Sequence, residues 1–214
     1  MDIDKNSAAK ALARDMIAAG AVLFRPSEPF VWASGWLSPV YIDSRKVLSL
    51  PSTRDLVKER LAQSVRKLYP GAGLIAGVAT GAIAHGALVA DALGLPMVYV
   101  RPKPKDHGTR SLVEGILPEG ARTVVVEDMV STGKSSLAAV GALRSAGASV
   151  LGMTALFTYG FPVAEEAFAA AGVPLETIST YDAVVEAALE AGILSPSDED
   201  TLREWRRSPQ TWKQ

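Results

Sequence analysis

Short apolar runs alternate with longer amphipathic segments along most of the chain. Five runs have the length and apolar character of strands that are buried on both faces: residues 74–76, 96–100, 123–126, 149–157 and 175–178. Segments with apolar residues at helical spacing lie around them: residues 7–19, 52–68, 82–93, 137–145, 164–171, 181–191 and 198–207. This alternation predicts an α/β fold with a doubly wound, mainly parallel sheet of about five strands, joined by right-handed crossovers.

Residues 68–90 carry no formally charged side chain, and the segment is long enough to cross a bilayer. Pro70 and the glycines that follow it interrupt the segment too often for one lipid-facing helix. A buried strand, a tight loop and a helix explain it better. We therefore expect no membrane span here.

Composition narrows the classes of function. The chain has 214 residues, of which 48% are hydrophobic and 21% charged, as in an ordinary globular protein. Its formal net charge of -1 gives no reason to expect nucleic acid or an acidic membrane as a partner. The absence of cysteine excludes disulfides, thiol catalysis and thiolate metal sites. The first residues lack the basic start and apolar core of a secretion signal, so a cytoplasmic location is expected.

The clearest chemistry lies between Thr123 and Ser136, in the sequence TVVVEDMVSTGKSS. Glu127 and Asp128 follow an apolar run, and because burying two like charges is costly, we expect both at the open strand end, facing water or a ligand. Small hydroxyl residues then surround Gly133 and lead into a helix, where backbone N–H groups can bind a phosphate. Carboxylates beside such a loop can accept hydrogen bonds from the vicinal hydroxyls of a ribose. The pattern predicts a sugar-phosphate site.

Two other interpretations of this stretch fit less well. The sequence Gly133-Lys134-Ser135 ends like a nucleoside-triphosphate loop, but that motif needs a glycine five residues earlier, where this chain has Asp128. An ordinary strand–turn–helix connection would use the acidic residues only to favour the helix dipole. The full order of residues is more specific than such a connection requires.

That order resembles the phosphoribosyl-pyrophosphate (PRPP) signature of the type I phosphoribosyltransferases. The resemblance implies that Glu127 and Asp128 hold the ribose hydroxyls, that Asp128 is catalytic, and that the following loop wraps the 5′-phosphate. The implied PRPP-binding residues here are Glu127, Asp128, Met129, Val130, Ser131, Thr132, Gly133, Lys134 and Ser135.

The segment from residue 30 to 51 is dense in glycine, proline, serine and aromatic residues, which by itself indicates a β-rich flap with surface turns. Its pattern of Trp-Ala-Ser-Gly, Ser-Pro, Tyr, Asp and Arg is similar to the N-terminal segment of the orotate phosphoribosyltransferases. The resemblance implies a small hood over the active site and contacts to orotate from Ser34, Gly35 and Tyr41, together with Ser131. Many members carry a lysine where this chain has Ala33, so that contact is absent or supplied elsewhere.

A basic loop follows the run 96–100. Prolines and a glycine between residues 101 and 110 forbid a regular helix, which leaves either a solvated charged loop or a lid that brings cations onto a polyphosphate. The spacing of Arg101, Lys105 and His107 resembles the catalytic loop of orotate phosphoribosyltransferases. This implies that all three bind PRPP, that Lys105 is catalytic, and that the loop reaches into the neighbouring subunit's site. The role of Lys103 stays undecided.

Two further places depart from the family's expected contacts. Gly81 stands where many members have a lysine, and the segment after the run 149–157 has no arginine, so the partner of the orotate carboxylate is unassigned. His85 has no Asp, Glu or Ser near it in sequence as a partner, and we expect no catalytic role for it.

The resemblance covers nearly the whole chain. It implies a single domain, with residues 1–50 as N-terminal helix and hood and residues 51–214 as phosphoribosyltransferase core with C-terminal helices. It also implies transfer of phosphoribose from PRPP to orotate, a homodimer, and Mg²⁺ that is bound through pyrophosphate rather than by a direct protein ligand. The alternatives are another type I phosphoribosyltransferase acting on a purine or uracil, and a regulator that only senses PRPP, although no basic recognition helix precedes residue 74.

Overall fold

The computed structural model describes residues 2–32, 35–103 and 111–213. In chain order, the elements of these residues are α1 (Asp2–Ala18), β1 (Val22–Phe24), β2 (Phe30–Val31), β3 (Leu37–Ser38), β4 (Val40–Ile42), a 3-10 helix (Ser44–Ser49), α2 (Pro51–Leu68), β5 (Leu74–Val78), α3 (Ala82–Leu93), β6 (Met97–Val100), β7 (Val113–Glu114), β8 (Arg122–Val130), α4 (Lys134–Ser145), β9 (Ser149–Thr158), α5 (Pro162–Ala170), β10 (Leu175–Thr180), α6 (Tyr181–Glu190) and α7 (Pro196–Arg207).

The chain divides into two compact units, one of residues 1–53 together with 179–214 and the other of residues 54–178. The sequence-based division at residues 50 and 51 keeps the C-terminal helices with the core, whereas these units group them with the N-terminal segment. That the whole chain forms a single domain stays a prediction.

Among its described residues, the first unit contains two antiparallel pairs of short strands, together with helices from both ends of the chain. β1 pairs with β4, and β2 pairs with β3, both in antiparallel fashion; that this segment forms a hood over the active site stays a prediction. The indole Nε1 of Trp205 in α7 donates a 2.8 Å hydrogen bond to the Leu37 carbonyl, and its ring meets Trp32 edge-on with centroids 5.7 Å apart. Trp205 is fully buried, so it anchors the β2–β3 pair to the last helix.

The second unit is built on a sheet whose described strands run in the order β10-β9-β8-β5-β6-β7. The pairs β5–β6, β5–β8 and β8–β9 are parallel, and the two-residue strand β7 adds an antiparallel edge. All five residues of β5 are buried, as expected of a central strand covered by helices on both faces. The mainly parallel, helix-flanked sheet predicted from the sequence is confirmed, with β7 as an additional short strand.

Several element boundaries differ from the sequence-based prediction. α1 begins at Asp2 rather than at residue 7. α7 begins at Pro196 rather than at residue 198, because Ser195 and Asp198 exchange side-chain and backbone hydrogen bonds as a capping box at its start. No helix among the described parts of the chain is both long and apolar enough to cross a membrane.

Candidate active site

The carboxyl ends of β5, β6 and β8 meet at one edge of the sheet, because these strands are parallel neighbours. The chain passes from β5 to β6 on one side, and β8 occupies the other side of β5. The direction of winding therefore reverses between β5 and β8. Parallel sheets bind ligands in the crevice outside the strand ends at such a switch point.

Glu127 and Asp128 lie inside β8 rather than beyond it. The strand continues to Val130, because Glu127, Met129 and Val130 pair with residues of β9. Glu127 is 3% exposed, so the prediction that it faces water is wrong, and a contact from Glu127 to a ligand stays a prediction. Asp128 is partly exposed, as predicted.

Hydrogen bonds explain how a carboxyl group can be buried at this position. Ser136 Oγ donates to Glu127 Oε2 at 2.9 Å, and the backbone N–H of Asp128 donates to Glu127 Oε1 at 3.0 Å. Each oxygen of the buried group therefore has a donor, which offsets part of the cost of removing it from water.

The surroundings of Glu127 change its pKa. Burial raises the pKa of Glu127 well above its ordinary value, and the neighbouring Asp128 carboxylate raises this pKa further, against the opposing effect of the two hydrogen bonds. Glu127 therefore keeps its proton to a higher pH than an ordinary glutamate does.

The loop after β8 turns through Gly133, which has φ +77° and immediately precedes α4. A Cβ at Gly133 would stand 2.9 Å from the Phe168 ring, so both the backbone conformation and the space require glycine here. The Gly133 carbonyl accepts from Leu137 N at 2.9 Å, which leaves the preceding N–H groups as the first-turn donors of α4. The free N–H groups at a helix N-terminus of this kind can bind an anion.

The loop after β5 packs directly against Asp128. This loop contains the cis peptide Ala79–Thr80 and ends at Gly81, whose backbone is helical with φ -62°. A Cβ at Gly81 would overlap the Asp128 carboxyl group. The carboxyl ends of β5 and β8, on either side of the switch point, are therefore in contact through Gly81 and the Asp128 carboxyl group.

Arg101 directly follows β6 and opens the basic loop. Its Nη1 lies 3.3 Å from Glu114 Oε1 in the antiparallel strand β7, and its backbone N–H donates to the Leu112 carbonyl at 2.8 Å. The Arg101 side chain is 33% exposed. These contacts hold Arg101 at the start of the basic loop, directly after β6, the strand that pairs with β5.

The structure brings some of the predicted site residues together and leaves others untested. Arg101 follows β6, whereas the segment from Glu127 to Ser135 ends β8 and continues past it; β6 and β8 are the two strands that flank β5. Ser34, Lys105 and His107 lie outside the described residues. The N–H of Gly35 (φ +86°) donates a 2.8 Å hydrogen bond to the Trp32 carbonyl. Tyr41 in β4 is 40% exposed, and its ring centroid lies 5.6 Å from that of Phe30. The ligand roles predicted for all of these residues stay predictions.

Sequence reasoning missed two contributors to the site. Ser136, which supports Glu127, was grouped with the other small residues of the loop, and only the three-dimensional pairing singles it out. Gly81 was noted only for the lysine that it replaces, although a glycine followed by a helix start is a signal of close backbone approach. No group of three or more His, Cys, Asp or Glu side chains within residues 2–32, 35–103 and 111–213 is arranged to hold a metal ion.

Comparison with known proteins agrees with this geometry. Residues 46–180 match the family described as phosphoribosyl transferase domain. A curated orotate phosphoribosyltransferase of Porphyromonas gingivalis is 52% identical over 203 residues, which cover 95% of this chain and 97% of that protein. A second, of Bacillus subtilis, is 48% identical over 200 residues, covering 94% and 93%. The crystal structure of an orotate phosphoribosyltransferase from Aeropyrum pernix matches with a TM-score of 0.74 at 35% identity, covering 86% of this chain and 99% of that chain. This chain belongs to the orotate phosphoribosyltransferases of the phosphoribosyl transferase domain family.

Proposed function

We propose that this chain transfers the phosphoribosyl group of PRPP to orotate, giving orotidine 5′-monophosphate and pyrophosphate in pyrimidine synthesis. The observation that carries the proposal is the full-length similarity to orotate phosphoribosyltransferases, at about half of all positions. The geometry supports it, because an acidic pair and a helix start adjoin the switch point of a parallel sheet.

Asp128 is the proposed ribose ligand. Its partly exposed carboxyl group can accept hydrogen bonds from the vicinal hydroxyls, and its negative charge offsets the positive charge that grows on the sugar as pyrophosphate leaves. Glu127 is almost fully buried and accepts the backbone N–H of Asp128, so its main part is to hold Asp128 in place. A direct contact between Glu127 and the ribose stays a prediction.

The loop from Ser131 to Ser135 is the proposed site of the 5′-phosphate. The positive φ of Gly133 turns the chain sharply at the start of α4, where first-turn N–H groups and the helix dipole favour an anion. Hydroxyl groups of the same loop add further donors. Met129 and Val130, the last residues of β8, are proposed to bind PRPP as well.

The leaving pyrophosphate is the proposed partner of the basic residues. Arg101, fixed beside β7 by Glu114, would act with Lys105 and His107 to stabilise the charge on the departing oxygen atoms. Mg²⁺ is expected to enter bound to the pyrophosphate of PRPP, without a direct protein ligand, and to neutralise part of its charge.

The orotate ring is proposed to meet Ser131 and the segment containing Ser34, Gly35 and Tyr41. The partner of the orotate carboxylate is unassigned. A homodimer that shares the basic loop between subunits, and a cytoplasmic location, remain proposals from the sequence.

Release of pyrophosphate tests this function. Purified protein with Mg²⁺ and PRPP should release pyrophosphate only when orotate is added, in a one-to-one ratio with loss of the orotate absorbance. The Asp128→Ala variant should remain folded and lose most of this activity. Binding of PRPP without orotate-dependent release would contradict catalysis and favour a PRPP sensor.

A further inference from the structure

His85 is a buried histidine whose chemistry the proposed reaction does not use. It lies in α3 and is 1% exposed. Its Nε2 atom is buried and has no hydrogen-bond partner among the residues that the structure describes. A buried polar atom of this kind is destabilising unless a nearby charge or a ligand compensates for it.

Helix geometry places His85 on the Asp128 side of α3. Gly81, at the start of the helix, touches the Asp128 carboxyl group, and His85 follows Gly81 by four residues, one turn along the same face. Side chains on a helix lean toward its N-terminus, so the imidazole leans over the turn that begins at Gly81. Because Gly81 has no side chain, nothing at that position separates the imidazole from the carboxylate.

The charged surroundings of His85 single out the same partner. α3 packs against β5, β6 and β8. β5 carries no titratable side chain and β6 carries only Tyr99, whereas β8 carries Arg122 at its far end and the pair Glu127 and Asp128. Burial lowers the pKa of His85 below its ordinary value, and the charge of Asp128 raises this pKa in opposition. The charge that acts on this imidazole therefore belongs to the proposed ribose ligand.

We propose that His85 is a positioning residue for Asp128: its imidazole is uncharged near the ribose-binding carboxylate at neutral pH, and its protonation at acid pH engages that carboxylate and withdraws it from PRPP. The inference rests on the proposed function, because it takes Asp128 as the ribose ligand. It predicts that the affinity for PRPP falls as the pH decreases through the range in which His85 gains its proton.

The direct test uses the fact that the chain has only two histidines. In a His107→Asn background, His85 gives the single histidine signal in a ¹⁵N-detected imidazole titration by NMR. Addition of Asp128→Asn should lower the pKa of His85, because a negative charge beside the imidazole is removed. The control is Asp91→Asn, an exposed substitution on the same helix that should leave the titration unchanged. An identical His85 titration with and without Asp128 would overturn the proposal.

A kinetic test does not depend on that background. The ratio of kcat/KM for PRPP between His85→Gln and the wild type should rise as the pH is lowered from 8 to 5.5, because only the wild type can form the charged His85–Asp128 pair. Val89→Ala, one turn farther along the same face and also buried, should lower stability and keep the wild-type pH profile. Parallel profiles for His85→Gln and the wild type would overturn the proposal.

The two proposals fail separately. If Asp128→Asn leaves the His85 pKa unchanged in a protein that still turns over orotate, only the role of His85 is rejected. If Asp128→Asn lowers the His85 pKa in a protein that does not turn over orotate, the proposed function is rejected instead.

Discussion

Ser136 Oγ donates a 2.9 Å hydrogen bond to Glu127 Oε2, and so ties the first turn of α4 to the end of β8. Both residues are buried, at 1% and 3% exposure. This bond fixes the strand and helix that flank the proposed phosphate loop. It also satisfies an oxygen atom that would otherwise be buried without a donor.

Ser136→Ala should therefore destabilise the protein. Removal of the hydroxyl leaves Glu127 Oε2 without this donor, which typically costs about 1–3 kcal/mol in the free energy of unfolding. Urea unfolding followed by circular dichroism measures this change. Ser135→Ala is the matched control, since Ser135 is the exposed neighbour in the same turn and its change should stay within about 0.5 kcal/mol. Equal effects of the two substitutions would contradict the proposed support of Glu127.

Glu127→Gln should change stability in a pH-dependent way. The pKa of Glu127 is raised in the folded protein, so between its ordinary value and the raised value the folded state binds more protons than the unfolded state. The contribution of Glu127 is thus most favourable at low pH and is lost as the pH rises through the folded pKa. An uncharged glutamine avoids that loss, so the Tm of the variant relative to the wild type should increase from pH 5 to pH 8. A constant difference in Tm would show that the Glu127 pKa is not raised.

Gly81→Ala should lower kcat/KM for PRPP without straining the backbone. The φ of Gly81 suits alanine, but the added methyl group would overlap the Asp128 carboxyl group and displace it. Misplacement of a reacting group by about 1 Å can lower activity by on the order of 100-fold, so kcat/KM for PRPP should fall by about 10- to 100-fold. Gly141→Ala in α4 is the control, because a Cβ there meets nothing within 4 Å. A Gly81→Ala protein with wild-type kcat/KM would show that Asp128 can move without consequence.

Subunit exchange tests the proposal that the basic loop acts in the neighbouring subunit. Asp128→Ala and Lys105→Ala should each be inactive alone, and random mixing of a two-fold dimer should restore about a quarter of the sites, since each mixed dimer has one site with both lesions and one with neither. Activity after mixing, with exchange confirmed by a mass-tagged subunit, measures this. Absence of recovery would place Lys105 in its own subunit's site.

The sheet was predictable from the sequence because its strands are runs of apolar residues separated by helices, and residues 123–126 indeed lie in the first half of β8. The length of β8 was not predictable. Its extension through Asp128 to Val130 depends on hydrogen bonds to β9, and the pairing of Val130 with Thr158 leaves no trace in either segment alone.

The burial of Glu127 shows a second limit. The expectation that two adjacent carboxylates face water assumes that both are charged, whereas Ser136, nine residues later, and the Asp128 N–H make a buried carboxyl group tolerable. The role of Gly81 has the same origin, because only the folded chain shows that the Asp128 carboxylate occupies the space beside it. Motif spacing predicts which residues form the site, and packing decides what each of them can do.

The specificity for the base tests the central claim most directly. Initial rates should be measured with PRPP and Mg²⁺ and with orotate, uracil, adenine or hypoxanthine at equal concentration. Orotate should be consumed while the other bases are not detectably used, because a site with donors for a carboxylate leaves them unpaired when the base lacks one, a loss that can reach about 10⁴-fold. Turnover of uracil at a rate comparable to that of orotate would contradict the assignment as an orotate phosphoribosyltransferase.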